Sequence, residues 1–393
     1  MPSVESDADL AARLTAYVVL AHDPAVPGVA ADYWELSNKS YAGVDDAVAA
    51  FVTEHAPSAA KSYREVLAAP TDTAPQVALR RQLQEALAAA PVDAASLREA
   101  VTAADSQIWI DYHLGEAVDA AAGPAENDAG TGPDVHVVIP FRDRARGLRT
   151  RNLLACLQAL RDQDCDASVE VTVVEADREP GVRDLIESWV DRYLFVHKDG
   201  LFNKSWTVNV GVAGAARNAP TVCVLDADIL VDRAFVTRNL DRLRNGSHGT
   251  HLPFRWSLSL DEPSTRRAIA ARVRTGRSDV PDAALRGLLL REAPGGCVWI
   301  RSEVFHAVGG FDERYEGWGG EDDDVIARLD RAAGVARFDD HLLHLNHPRP
   351  DMTRDGTTPF NAHLEPMSWT ADHGYGDPER FVTQAAAPGA QAY

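Results

Sequence analysis

Cysteine is scarce in this 393-residue chain, which has only Cys156, Cys165, Cys223 and Cys297 and no Cys-x-x-Cys pair. Four scattered thiols do not provide a disulfide framework or a zinc site, so we expect a reducing, cytoplasmic environment. No apolar run approaches the roughly 18 to 20 residues that a bilayer-spanning helix needs, which predicts no integral membrane segment. The N-terminus is acidic rather than basic, which is atypical of a secretory signal.

Basic residues are outnumbered, with 39 Lys and Arg against 59 Asp and Glu and a formal net charge of −20. A nucleic-acid-binding protein needs a basic face, so this balance argues against that class and against an anionic membrane surface. The imbalance is strongest before residue 135, where 7 basic residues stand against 21 acidic ones. A Gly/Pro/Asp-rich run at 123–134 accompanies the change and is typical of a linker. We therefore predict one domain at 1–131 and a second that begins at 132.

The first 122 residues are rich in Ala and have little β-branched alternation. Apolar residues recur with helical spacing at 8–21, 45–55, 58–68, 75–89 and 94–105, and Asp93 is an N-cap candidate for the last segment. These patterns predict a helical N-terminal domain, whose role the residues do not indicate. Its aromatic residues, interpreted as core rather than as a sugar-stacking surface, are Tyr33, Trp34, Tyr41 and Trp109.

From residue 135, short β-branched runs alternate with helical stretches. We predict strands at 135–139, 169–174, 193–196 and 221–225, and helices near 149–162, 181–190 and 203–217. This alternation is typical of an α/β domain with a mainly parallel sheet flanked by helices. Ligands of such sheets bind beyond the carboxyl ends of the strands, which makes the loops after Ile139, Val174, Val196 and Leu225 the candidate site.

Carboxylates follow two of these strands: Glu175 and Asp177 after one, Asp226 and Asp228 after the other. An Asp-x-Asp turn at a sheet edge offers the hard oxygen ligands that Mg²⁺ or Mn²⁺ prefers when it carries a diphosphate. Asp-x-Asp turns also commonly hydrogen-bond only their own backbone. The tripeptide alone therefore leaves both interpretations open.

Two later clusters add to this pattern. Trp318-Gly319-Gly320 precedes four acids, 321–324, at the start of an amphipathic helix. A helix N-terminus favours one or two negative charges, so four adjacent carboxylates indicate a ligand site. The second cluster is His341, His344 and His347, of which one could complete the coordination of a metal held by Asp228.

The order of these motifs resembles that of the GT-A glycosyltransferases. The resemblance is closest to the β-1,4-galactosyltransferases and their relatives among polypeptide N-acetylgalactosaminyltransferases and bacterial chondroitin-type polymerases. The matching pieces are IPFRDR at 139–144, FNKSWTVNVG at 202–211, the Asp226-x-Asp228 turn, the block at 295–324 that ends in GWGGEDDD, and His347. The resemblance covers about 135–350 and implies a GT-A catalytic domain at 132–352. The unmatched tail, 353–393, is then expected to be an acceptor lid or partly disordered.

The resemblance also implies roles for individual residues. It assigns nucleotide-donor binding to Phe141, Arg142, Glu175, Lys204 and Asp226. It assigns a Mn²⁺ or Mg²⁺ cofactor to Asp228 and His347, with His344 standing where the galactosyltransferases have Met. It assigns sugar and acceptor binding to Ala293, Gly296, Trp318, Gly319, Gly320, Glu321 and Asp323. It makes Asp322 the catalytic base.

The activity implied is metal-dependent, inverting transfer of a hexose or N-acetylhexosamine from a UDP-sugar to a hydroxyl acceptor, which could be a saccharide, a lipid-linked sugar or a small metabolite. One alternative is a nucleotidyltransferase that makes the sugar nucleotide. That class of enzyme requires a Gly-rich phosphate-binding loop after the first strand. The segment that follows the first strand here, IPFRDRARG, has a single Gly and fits this requirement poorly. The other alternative is a non-catalytic carbohydrate-binding protein. Such a protein is expected to have lost metal-ligand residues, whereas the acids and histidines are all present in this sequence.

Overall fold

The computed structural model describes residues 6–29, 31–90, 94–105, 110–112, 132–215, 219–276 and 285–381. The α-helices are α1 (Asp7–His22), α2 (Val26–Val29), α3 (Ala31–Glu54), α4 (Ala60–Ala68), α5 (Thr73–Ala89), α6 (Ala94–Asp105), α7 (Leu148–Arg161), α8 (Arg183–Ile186), α9 (Lys204–Ala213), α10 (Phe235–Asn245), α11 (Glu262–Ile269), α12 (Ser302–Ala307) and α13 (Glu321–Ala333). The strands are β1 (Ile110–Tyr112), β2 (Val135–Phe141), β3 (Val169–Asp177), β4 (Arg192–His197), β5 (Thr221–Leu225), β6 (Ile229–Leu230), β7 (Thr250–Leu260), β8 (Gly287–Arg291), β9 (Cys297–Arg301) and β10 (Val335–His344). The linker at 123–131, Asp93, Trp109 and Tyr393 lie outside the described residues, so the domain boundary at 131 stays a prediction.

A helical unit contains α1 to α6, with β1 and β8 paired antiparallel. Its apolar α1 is buried along most of its length and packs against α3 and α5. Tyr41 is fully buried and stacks on Trp34 with ring centroids 5.7 Å apart. Both aromatics therefore belong to the core, as predicted. The side chain of Tyr33 lies outside the described part.

The second unit is built on a sheet whose centre is parallel, and this confirms the α/β fold class. Strand β2 lies between β3 and β5 and is parallel to both, and β4 is parallel to β3. The antiparallel β9 extends the sheet beside β5, and β7 follows it. Helix α9 packs closely on β2 and β3 because Gly211 lacks a Cβ, which would collide there with Val138 and Val174.

A short antiparallel ribbon lies beyond the end of β5. The chain turns at 226–228, and β6 then pairs with the end of β10, so that Ile229 is opposite His344. This pairing brings the Asp-x-Asp turn next to a segment more than a hundred residues later in the chain. Residues 353–381 follow with little regular structure apart from a 3₁₀ turn at Ala371–His373.

Several predicted boundaries differ from the observed ones. The helix expected at 203–217 ends at Ala213, where Gly214 caps it by donating its backbone N–H to the Val210 carbonyl. Strand β3 continues to Asp177, so Glu175 is part of the strand and does not lie in the loop after it. His341 belongs to β10, and the segment from it to His344 is extended. Within the described part of the chain, we find no helix with the length and apolarity required to cross a bilayer.

Candidate active site

Asp228, His344 and His347 converge at the β6–β10 ribbon, with potential ligand atoms all within 4.8 Å of one another. Nε2 of His347 is 2.7 Å from one carboxylate oxygen of Asp228, and Nε2 of His344 is 3.6 Å from the other. The Leu345 backbone N–H donates to the Asp228 carbonyl at 2.8 Å, which fixes the two strands together at this point. The third histidine of the predicted cluster, His341, is not part of the set.

The donor atoms of this cluster fit a divalent cation. Nδ1 of His347 is 2.8 Å from the Pro348 carbonyl oxygen, so it carries the proton and leaves the Nε2 lone pair facing Asp228. Among the described side chains, Asp228 Oδ1 and His347 Nε2 are buried atoms with no hydrogen-bond partner. A bound cation would satisfy both. Mixed nitrogen and oxygen ligands suit Mn²⁺ and are compatible with Mg²⁺.

Charge and burial favour the ligating forms of two of these groups. Burial lowers the pKa of His344 to about 3 against the attraction of Asp228, so the imidazole is neutral and its lone pair is available. Burial alone would raise the pKa of Asp228, but His344, His347 and Arg149 more than offset it and lower that pKa. The carboxylate is therefore ionised at neutral pH.

Helix α7 holds the histidine-bearing segment from behind. Arg151 and Asn152 both donate to the Asn346 carbonyl, at 3.0 and 3.1 Å. The Arg149 guanidinium, on the same helix, is 3.8 Å from the Asp228 carboxylate. Sequence reasoning missed these three residues because their contacts join segments 79 to 195 residues apart.

Lys204 lies between two predicted site carboxylates. Its Nζ is 2.9 Å from Asp226 and 3.1 Å from each carboxylate oxygen of Asp322. The side chain is only 12% exposed. Burial by itself would lower the pKa of Lys204, but Asp226, Asp322 and then Glu321 more than offset it and raise that pKa. Lys204 is therefore a permanent cation at the start of α9, where the Asn203 side chain caps the helix by accepting the Trp206 N–H.

The four acids at the start of α13 have different surroundings. Asp324 is buried, pairs with Arg328 at 2.8 Å and accepts the Met367 backbone N–H, which makes it a structural residue. Asp323 is exposed. Burial and the neighbouring Asp322 charge raise the pKa of Glu321 to about 7, against the opposing effect of Lys204. Asp322 is thus the acid that contacts Lys204, and Glu321 is close enough for its charge to raise the Lys204 pKa.

The loop between β8 and β9 forms one wall of the site. Gly295 lies against Asp322 so closely that a Cβ on it would collide with the carboxylate. Gly296 has a φ of +102° and its carbonyl accepts the Asp226 N–H at 2.9 Å. The Ala293 carbonyl accepts from Arg337 at 3.3 Å, which anchors the loop at its other end. Lys204, Asp226, Gly295, Gly296 and Asp322 border one small open cleft.

The predicted nucleoside contacts lie at the ends of β2 and β3, but their polar groups are engaged within the fold. Arg142 donates to the carbonyls of Ala176, Lys198 and Gly200 at 2.6 to 2.8 Å. Glu175 accepts from the Gly181 N–H and the Tyr193 hydroxyl. Phe141 is buried. Arg142 and Glu175 therefore order the loops after the strands, and direct contact of these residues with a nucleoside stays a prediction.

The Trp318–Gly320 segment precedes α13 in a backbone conformation that requires glycine. Gly319 and Gly320 have φ values of +94° and +92°, and Gly320 serves as the N-cap residue of the helix. The Asn361 side chain donates to the Gly319 carbonyl at 2.8 Å and accepts the Glu316 N–H at 3.2 Å. Residues after 352 thus contact the segment predicted to bind sugar, and Asn361 is a site neighbour that the sequence did not reveal.

Residues 288–349 match the family model described as the N-terminal domain of galactosyltransferase. This segment contains Ala293, Gly296, the Trp318–Asp324 cluster and both predicted histidine ligands. The match supports the prediction of a glycosyltransferase and does not resolve the subgroup. None of the curated proteins matches the chain.

Solved glycosyltransferases are similar to parts of this chain. The Pyrobaculum calidifontis mannosyltransferase PcManGT, in complex with GDP-Man and Mn²⁺, has 16% identity over 64% of this chain and 64% of its own, with a TM-score of 0.39. The match thus spans less than two thirds of that protein. TarS 1–349 of S. aureus in complex with UDP-GlcNAc has 11% identity over 55% and 60% of the two chains, with a TM-score of 0.37. The catalytic domain of Drosophila β1,4-galactosyltransferase 7, in complex with xylobiose, has 18% identity over 60% and 75%, with a TM-score of 0.29.

Proposed function

We propose that the protein is a metal-dependent, inverting glycosyltransferase that moves a hexose or N-acetylhexosamine from a UDP-sugar to a hydroxyl acceptor. One observation carries the proposal: a two-histidine, one-carboxylate cluster and a Lys204–Asp322 pair meet beyond the carboxyl ends of the parallel strands. Asp226 lies in the turn between them and pairs with Lys204. A diphosphate leaving group requires positive charge, which Lys204 and a cation held by the cluster would supply. An attacking hydroxyl requires a base, which Asp322 would supply.

The residues of the chain would divide the work as follows. Asp228, His344 and His347 would hold a divalent cation, which supplies charge neutralisation at the diphosphate when bound. Lys204 would supply a second positive charge to the same leaving group. Asp322 would accept the proton of the acceptor hydroxyl while its oxygen forms the bond to the anomeric carbon. The bond between that carbon and the diphosphate oxygen breaks, and its electron pair leaves with UDP, so that a single displacement inverts the configuration.

The wall formed by Trp318, Gly319 and Gly320 would bind the sugars, together with Glu321 and the exposed Asp323. Residues 353–381 would border the acceptor, because Asn361 contacts the Gly319 carbonyl. The half-buried environment that raises the Glu321 pKa to about 7 makes this carboxyl able to donate as well as accept hydrogen bonds near neutral pH, which suits sugar hydroxyls.

The test is release of UDP from a panel of UDP-sugars in the presence of Mn²⁺ and candidate acceptors. We expect release to require an acceptor and to be abolished by excess EDTA. Asp322→Asn keeps the size of the side chain but cannot take up the proton, so turnover should fall by roughly two to four orders of magnitude. Near wild-type turnover of this variant with saturating substrates would remove Asp322 from the role of base.

The same assay separates the alternatives. A nucleotidyltransferase would release pyrophosphate from UTP and a sugar phosphate, and would not need an acceptor hydroxyl. A non-catalytic carbohydrate-binding protein would bind a saccharide without any UDP release. Either result would contradict the proposed function.

The metal cluster has a separate test that does not depend on turnover. Asp228→Ala should abolish high-affinity Mn²⁺ binding, measured by electron paramagnetic resonance of free Mn²⁺, because it removes the charged member of the set. His341→Ala provides a matched control, since His341 lies on the same strand but outside the cluster. Equal Mn²⁺ binding by wild type and Asp228→Ala would place the metal elsewhere.

A further inference from the structure

The contact between Lys204 and Asp322 conflicts with the roles proposed for them. Lys204 would place a positive charge at the diphosphate, and Asp322 would act as the base for the acceptor hydroxyl. The ammonium is 3.1 Å from both oxygens of the Asp322 carboxylate and so lies directly in front of it. Each oxygen keeps a second lone pair, but a cation in this position competes with an incoming acceptor hydroxyl for the carboxylate. The same ammonium would also be required at the leaving diphosphate, on the opposite side of the displaced carbon.

The position of Lys204 allows it to serve both groups in turn. Its backbone is fixed as the first residue of α9 by the Asn203 cap, while its Nζ reaches carboxylates from two different elements, the turn after β5 and the start of α13. Lys204, Asp226 and Asp322 border the same open cleft. A rotation of the lysine side chain alone would therefore move the charge from one partner toward another.

Resting on the proposed function, we infer that Lys204 is a positioning residue that holds Asp322 in the free enzyme and is drawn to the diphosphate when the donor binds. Donor binding then releases the base, so the carboxylate becomes available only when the leaving group is in place. The ion pair with Asp322 must be broken for this transfer, and breaking it opposes the binding of any diphosphate. The affinity for UDP should therefore be limited by Asp322.

This limit is measurable without catalysis, by calorimetric titration of UDP in the presence of Mn²⁺. Asp322→Asn weakens the hold on Lys204, so UDP should bind about tenfold more tightly, as expected for the loss of one competing charged hydrogen bond. Lys204→Met should bind UDP more weakly than the wild type. Adding Asp322→Asn to Lys204→Met should change the affinity by less than about twofold, because the competition no longer exists.

Asp323→Asn is the matched control. It removes one negative charge from the next residue of the same helix, which is exposed and makes no ion pair with Lys204. If the acids only repelled UDP, both variants would raise the affinity for UDP by a similar factor. The proposed competition predicts a clearly larger rise for Asp322→Asn. Thermal melts followed by circular dichroism verify that the variants are folded, and Lys204→Arg, which keeps the charge, should retain the effect of Asp322→Asn.

The outcomes separate this inference from the function on which it rests. Equal effects of Asp322→Asn and Asp323→Asn, or an undiminished effect of Asp322→Asn in the Lys204→Met background, would overturn the exchange of Lys204 and leave the proposed activity standing. Absence of UDP binding by the wild type with Mn²⁺ would overturn the proposed donor and the inference together. Tighter binding confined to Asp322→Asn, and dependent on the lysine charge, would support the exchange.

Discussion

At the scale of a single residue, we propose that Ala293 influences which donor sugar is accepted. The galactosyltransferases that the sequence resembles have an aromatic residue two positions before the paired glycines, which narrows the space at the sugar 2-position. Ala293 stands there in this chain, and its backbone is anchored through the Arg337 contact. We expect its small side chain to leave room for an N-acetyl group.

We expect UDP-GalNAc or UDP-GlcNAc to be preferred over UDP-Gal. Ala293→Tyr should shift the ratio of kcat/KM values toward UDP-Gal by about tenfold or more, since a steric change of a few atoms in a pocket discriminates by 1 to 3 kcal/mol. The measurement is a comparison of initial rates with the three donors for both proteins. A wild-type enzyme that accepts only UDP-Gal or UDP-Glc would contradict the assignment.

A second prediction for a single residue concerns Glu321, whose raised pKa should make the stability of the protein depend on pH. Its pKa of about 7 in the folded protein lies above the ordinary value of 4.5, so its contribution to stability is present below about pH 4.5 and is lost as the pH rises through 7. Glu321→Gln is uncharged at every pH and therefore keeps this contribution to stability. The free energy of unfolding of the variant should therefore gain on that of the wild type between pH 5 and pH 8, by on the order of 2 kcal/mol.

Thermal melts of the metal-free proteins at several pH values measure this difference, and groups that titrate in both proteins cancel. A difference between variant and wild type that stays constant from pH 5 to pH 8 would show that Glu321 does not titrate in this range.

At the scale of elements, the loop between β8 and β9 sets the position of the N-terminus of α13. Gly295→Ala places a methyl group against the Asp322 carboxylate, and its backbone is outside the left-handed region that favours glycine. The substitution should therefore cost little stability but displace Asp322, with a fall in kcat of about a hundredfold, as for a misplaced catalytic group.

Two measurements check this expectation together. Melting temperatures of Gly295→Ala and wild type should agree within a few degrees, and Mn²⁺ binding should be unchanged because Asp228 is not in contact with the loop residue. Wild-type kcat in the variant would show that the position of Asp322 is not controlled from this loop.

The elements were predicted from sequence where one local signal dominated. Buried β-branched runs gave β2 and β5 nearly to the residue, and Ala-rich periodicity gave α1, α5 and α6. Predictions failed where a single residue ended an element, as Gly214 does after α9, or where periodicity was weak, as in the first half of α3. The strand at His341 was missed because its alternation is irregular.

The candidate site could be proposed from sequence as a set of residues but not as a set of contacts. Clusters of carboxylates and histidines, together with the family resemblance, pointed to Asp226, Asp228, His344, His347 and Asp322. The structure places Asp228, His344 and His347 close to one another and both Asp226 and Asp322 beside Lys204, while the roles of all five stay predictions. The pairing of Lys204 with Asp322, and the engagement of Arg142 by three carbonyls, depend on segments 30 to 120 residues apart, which no local pattern specifies.

At the scale of the whole molecule, a buried carboxylate joins the segment after residue 352 to the rest of the second unit. Glu313 accepts from Asn209 and the Gly376 N–H, and its other oxygen pairs with Arg380 at 2.5 Å. Burial raises the pKa of Glu313 despite these partners. The nearby Trp206 donates to the Asp377 carbonyl, so α9 is held along its length by this segment.

Arg380→Ala should reduce the free energy of unfolding by about 2 kcal/mol, because it leaves a buried carboxylate without its cation. Arg354→Ala is the control, since this arginine is exposed and should change stability by less than about 0.5 kcal/mol. Thermal or chemical melts of the two variants provide the measurement. Equal stability of both would show that the Glu313–Arg380 pair contributes nothing measurable.

The ribbon that joins Asp228 to His347 has a consequence during synthesis on the ribosome. The parallel strands β2 to β5 are complete by residue 225, whereas the two imidazoles follow about 120 residues later. At about 5 to 20 residues per second, that interval lasts about 6 to 24 seconds. A nascent chain would therefore pass through a period in which the parallel strands are complete but the cluster of Asp228, His344 and His347 is not. A product terminated in this interval would contain the parallel strands without the two histidines, and we expect it not to bind the proposed cation.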